Sequence, residues 1–169
     1  MLGHAGRWRD RPPRSTLGGM STPLERITAL VADRLGEDGQ FTSTPVLTLE
    51  EFFEGNEAEG SILCNVVRDP QDLGSLVPPQ EAFEIFSEIR DRSEVADVRI
   101  ALTMFDDPDW PFSDTVLVET IATPEEARGW FEEEIGPDEV DPLAPDDDLV
   151  DVVRELGMDP DRVLVLWWD

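Results

Sequence analysis

Val98-Arg99-Ile100-Ala101-Leu102-Thr103-Met104 and Thr115-Val116-Leu117-Val118-Glu119-Thr120-Ile121-Ala122 decide the fold. In the first run Val98, Ile100, Leu102 and Met104 alternate with Arg99, Ala101 and Thr103, the period of two expected of a half-buried strand. In the second, Val116, Val118 and Thr120 alternate against Leu117, Glu119 and Ile121. The link from Asp106 to Asp114 reads as a long hairpin loop.

Working outward, the chain ends on a strand from Arg162 to Trp168. Its run Val163-Leu164-Val165-Leu166-Trp167-Trp168 is apolar on both faces, which suits a central strand covered on each side. Ser61 to Val67 reads as a fourth strand, with Ile62, Leu63, Val66 and Val67 as its apolar members. Cys64 lies within it and reads as a small buried hydrophobe.

Helix starts are well marked. Thr22-Pro23-Leu24-Glu25, Thr48-Leu49-Glu50-Glu51 and Thr123-Pro124-Glu125-Glu126 are capping boxes, in which threonine and glutamate satisfy each other's backbone N–H groups. The first opens a helix with Leu24, Ile27, Val31 and Leu35 on one face, ended by Gly36. The second opens a short helix through Phe52 and Phe53 that stops near Gly55. The third presents Ala127, Trp130, Phe131 and Ile135. Pro78 and Pro79 introduce a helix with Ala82, Phe83, Phe86 and Ile89 inward. After a connector from Gly136 to Pro145, Asp146 caps a helix with Leu149, Val152, Val153 and Leu156 on its buried face, closed by Gly157. The sum is an α+β fold, about four mostly antiparallel strands with about five helices, in a single domain over residues 20–169.

Residues 1–19 carry Arg7, Arg9, Arg11 and Arg14 with Asp10 as their one acid, and read as a disordered basic tail. Met20, followed at once by a helix start, is a candidate initiator. From there on nine arginines face 38 acids. That surface repels phosphate backbones and anionic membranes, so no nucleic acid or membrane partner is expected. A basic protein would be steered toward it in a salt-sensitive way. Abundant Arg without Lys also fits a GC-rich genome or a salt-loving host, in which case the acidity is incidental. A single cysteine and the absence of a secretory leader pattern point to the cytoplasm.

Composition removes most catalytic equipment. The only histidine is His4, and there is no lysine or tyrosine. A Ser-His-Asp or Cys-His arrangement is therefore unavailable to the folded part. Schiff-base chemistry lacks its lysine, and a zinc site lacks its ligands. No cofactor is expected, and no catalytic residue is assigned.

Carboxylates remain. Asp106, Asp107, Asp109 and Asp114 surround Trp110 and Phe112 in the hairpin loop. Such an oxygen-rich loop could hold Ca²⁺ or Mg²⁺, although it lacks the glycine and terminal glutamate of an EF-hand. It could equally be a solvated hairpin tip with its aromatic residues folded back, or a binding loop with Trp110 as anchor. Asp146-Asp147-Asp148 supplies negative charge to a helix N-terminus, which the helix dipole favours.

Three stretches carry a resemblance: Leu49–Asn56 with Gly60–Asn65, then Trp110-Pro111-Phe112-Ser113-Asp114, then Leu166-Trp167-Trp168-Asp169. From about Thr48 onward the chain resembles a group of small uncharacterised acidic proteins of high-GC Gram-positive bacteria. The resemblance brings no catalytic motif. In compact, acidic character such proteins are similar to immunity proteins that neutralise toxins. The expectation is thus a non-enzymatic acidic binding protein of immunity type, with a basic partner meeting Asp106, Asp107, Asp109, Trp110, Phe112, Asp114, Asp146, Asp147 and Asp148. A carboxylate- or divalent-metal-dependent enzyme using the Asp106–Asp114 loop is the alternative, and a structural domain with incidental acidity is the third.

Overall fold

The structure is a computed structural model that describes Gly19 and residues 21–169. The stretch read as a disordered tail, residues 1–19, lies outside the described residues except for Gly19. The described strands are β1 (Val46–Thr48), β2 (Val67–Asp69), β3 (Asp72–Leu76), β4 (Val95–Ala101), β5 (Thr115–Thr120), β6 (Glu139–Pro142) and β7 (Val163–Trp167). The α-helices are α1 (Pro23–Val31), α2 (Leu49–Phe53), α3 (Pro79–Arg90), α4 (Pro124–Arg128) and α5 (Leu149–Glu155). None of them is long and apolar enough to cross a membrane.

Seven strands replace the expected four. Five build one antiparallel sheet in the order β1-β4-β5-β7-β6, and β2 and β3 form a separate hairpin. The expectation of a strand over Ser61–Val67 is corrected: residues 61–65 form bends and a turn, and pairing begins only at Val67. A short apolar run without alternation does not distinguish a strand from a buried loop. Ile62 and Leu63 are sequence neighbours yet both buried, which a strand with one covered face does not allow.

Register sorts the side chains cleanly. Ile100 faces Val116, which faces Leu166; Val98 faces Val118, which faces Leu164. These six residues are buried on one face, beneath a core to which Ile27, Phe52, Phe53 and Phe86 of α1, α2 and α3 contribute. Ala101, Leu117 and Val163 turn to the other face and join Val150 and Val153 of α5. β7 lies between β5 and β6 with both faces covered, as its unbroken apolar run implies.

All three capping boxes form, with both reciprocal bonds present in each. The last helix differs in detail. Its inward residues are Val150 and Val153, while Leu156 is 36% exposed. The N-cap is Asp148 in place of the expected Asp146, its side chain makes no capping bond, and the Leu149 N–H donates instead to Asp147 Oδ1 at 2.8 Å. Trp168 follows β7 into the core, edge-to-face with Phe86 and Phe131 at 5.9 and 5.8 Å between ring centroids. Its indole N–H donates to the Ile135 carbonyl at 3.0 Å.

Candidate functional site

Two loops meet at the end of the sheet where Ala101, Thr115 and Trp167 stand in register. The first leaves α2 at Gly55, whose φ of +75° is strained for any residue with a side chain. A Cβ there would lie 2.4 Å from Pro23 Cγ, so the turn is held against the start of α1. Asn56 is fully buried: its Oδ1 accepts from the Ala58 N–H and its Nδ2 donates to Ser61 Oγ, each at 3.0 Å. Gln80 Nε2 of α3 donates to the carbonyls of Phe53 and Asn56, both at 2.9 Å. Leu63 takes a φ of +52°, a conformation that costs a non-glycine residue roughly 1–2 kcal/mol. Its burial at 2% exposure and the bonds around it hold that strain in place.

The second loop joins β4 to β5. It is closed by the Phe112 N–H, which donates to the Met104 carbonyl at 2.8 Å. The Phe105 N–H donates to the Gly39 carbonyl, and the Ser113 N–H to the Ser61 carbonyl, each at 2.9 Å. That last bond ties the two loops together. Trp110 is only 4% exposed, and its Nε1 donates to the Phe52 carbonyl at 3.1 Å. The ring therefore pins the loop to α2. Phe112 is half-buried.

Asp106, Asp107 and Asp109 are exposed on this pinned loop, and Asp107 Oδ1 accepts from the Asp109 N–H at 2.7 Å. None of the three is in an ion pair with an arginine among the described residues. Asp114 has a different role. Its Oδ1 accepts from the hydroxyls of Thr103 and Thr115, both at 2.7 Å, and its backbone oxygen accepts from the Trp168 N–H at 3.0 Å. Asp146, Asp147 and Asp148 are exposed but belong elsewhere. β6 runs from Glu139 opposite Trp167 to Pro142 opposite Leu164, away from the hairpin, before the chain reaches them.

Sequence reasoning missed Glu57 and Glu59, which are exposed on the first loop across from the hairpin acids. An open groove of ≈ 500 Å³ is lined by Thr22, Pro23, Leu24, Gly55, Glu57, Ala58, Asp109 and Trp110. A second, of ≈ 270 Å³, shares Ala58 and Trp110 and adds Glu59, Asp106 and Asp107. Among the described residues no three His, Cys, Asp or Glu side chains are placed to hold a metal ion together. Cys64 lies in the turn of the first loop. Partial burial pushes its thiol up from the ordinary range, and the Asp114 and Asp169 carboxylates add to the effect, so it stays protonated. A thiol in that state is a poor nucleophile.

The three stretches that carry the resemblance converge here, through the Trp110–Phe52, Ser113–Ser61 and Trp168–Asp114 bonds. Comparison with known proteins gives a match over residues 22–159 to the model of the "Uncharacterized protein YfbO family". The "Uncharacterized protein YfbO" of Escherichia coli (strain K12) is 44% identical over 149 residues, covering 88% of this chain and 99% of that protein. The resemblance is corrected in its scope, since this relative lies outside the high-GC Gram-positive bacteria. No solved structure matches.

Proposed function

The chain belongs to the Uncharacterized protein YfbO family, and from that premise we propose that it is a non-enzymatic, cytoplasmic binding protein that recognises a basic protein through its acidic hairpin. The observation that carries this reading is the state of Asp106, Asp107 and Asp109: exposed, unpaired with any described arginine, and mounted on a loop fixed by Trp110. Charges held in place before binding cost little ordering entropy when a partner arrives. Their field also speeds encounter with a positive surface.

An inhibitor of immunity type is the specific form we favour, because carboxylates arrayed this way can occupy a site meant for phosphates. The acids at the start of α5 are a separate surface, so the hairpin acts without them. Asp114 and Trp110 support the loop from within.

The test uses two baits, the native chain and its Asp106→Asn/Asp107→Asn/Asp109→Asn variant, in lysate of the native host. A basic protein held by the native chain at low salt, and absent from the variant, supports the reading. Equal capture by both baits overturns the hairpin's role.

A further inference from the structure

The two grooves beside the hairpin combine apolar surface from Pro23, Leu24, Ala58 and Trp110 with the carboxylates of Glu57, Glu59, Asp106, Asp107 and Asp109. None of these five acids is in an ion pair among the described residues. Apolar floor with acidic rim is what an arginine side chain needs. Its methylene stem covers apolar surface while the planar guanidinium pairs with carboxylate oxygens.

The chain itself supplies such side chains close by. Arg7, Arg9, Arg11 and Arg14 sit among the first 18 residues with Asp10 as the one acid. That segment enters the described fold beside Thr22, which is itself part of the groove wall. Arg14 and Thr22 are eight positions apart, a reach of at most about 26–29 Å when extended. A short tether of this kind gives an effective concentration on the order of millimolar. Contacts between exposed ions are individually weak, and tethering is what allows them to be populated.

We propose that the segment Arg7–Arg14 docks across these two adjoining grooves, with its guanidinium groups on Glu57 and Asp109 of the first and Glu59, Asp106 and Asp107 of the second. The inference rests on the reading of the hairpin as a site for basic protein, and it makes the chain's own segment a competitor for that site.

Hydrogen exchange on the full chain tests it, comparing the native protein with Arg7→Gln/Arg9→Gln/Arg11→Gln/Arg14→Gln. At low salt, amides over residues 55–61 and 106–110 should exchange about threefold more slowly in the native chain, as expected when the tethered segment fills the grooves two thirds of the time. The difference should vanish near 1 M salt, where the Debye length is about 3 Å. A synthetic peptide of residues 1–18, added to the variant at about its tethered concentration, should restore protection at those amides. Equal exchange in the two proteins at low salt overturns the docking, as does a peptide without effect. If those results are negative while the hairpin still captures a basic protein, only the docking falls and the proposed function stands.

Discussion

The Trp110 indole N–H donates to the Phe52 carbonyl at 3.1 Å, joining residues 58 apart in sequence. The bond makes the hairpin's exposed carboxylates an extension of the core instead of a free loop. Of the readings the sequence leaves open for Trp110, the buried ring matches the one in which the aromatic residues fold back over the sheet.

Trp110→Phe should keep much of the packing while leaving the Phe52 carbonyl without its donor. The expected loss is about 1–3 kcal/mol, read from urea unfolding. Trp110→Ala should cost about 3–5 kcal/mol. A loss within error for both variants would show that the ring does not anchor the loop.

Gly55 and Gly157 both have positive φ, +75° and +78°, but their surroundings differ. A Cβ at Gly55 would strike the Pro23 ring, whereas one at Gly157 meets nothing within 4 Å. Gly157→Ala should therefore cost only the backbone strain, about 1–2 kcal/mol. Gly55→Ala should exceed it by about 1–3 kcal/mol through forced repacking against α1. Equal costs in denaturant titrations would contradict the close approach of that turn to Pro23.

Glu50 gives a pH signature. Desolvation is the largest single effect and raises its pKa, but the hydrogen bond from Arg90 at 2.7 Å, a backbone hydrogen bond and the charges of Arg90 and Arg99 together outweigh it, and the net shift is downward. A lowered folded pKa contributes stability that is present above the unfolded value and lost as pH falls through the folded one. Glu50→Gln should therefore be less stable than the native chain at neutral pH, with the gap closing on acidification below the ordinary glutamate range. A gap that stays constant down to the acid limb would remove the ion pair from the account.

Cys64 reports on the junction between the first loop and the chain terminus. Its thiol is raised by partial burial and then by Asp114 and Asp169. Alkylation should follow a pH profile displaced above that of a free thiol. Asp169→Asn should move that profile downward. A profile unaffected by Asp169→Asn would place the terminus away from the thiol.

The sequence exposes some of this architecture and hides the rest for physical reasons. The β4–β5 hairpin is legible because one face is buried and alternation follows, although β4 starts three residues earlier than its clearest alternation, at Val95. Capping boxes are local chemistry, so all three read correctly. β6 is illegible, since Glu139-Val140-Asp141-Pro142 has one buried residue and gains strand geometry only by pairing with β7. β1 is three residues long, too short for a period to register. At the candidate site the acids of the hairpin stand out in the sequence, but Glu57 and Glu59 do not. They arrive beside the hairpin through the Ser113–Ser61 bond, a contact between distant residues. The same distance effect separates Asp146–Asp148 from the hairpin, because β6 carries the chain away before α5 begins.

The most direct test of the central claim is the affinity of the captured basic protein for the native chain and for Asp106→Asn/Asp107→Asn/Asp109→Asn, titrated at low salt. Three lost ion pairs at about 0.5–1 kcal/mol each predict a weakening of roughly tenfold to 150-fold, with the difference shrinking as salt is added. Equal affinity for the two proteins at low salt would contradict the account.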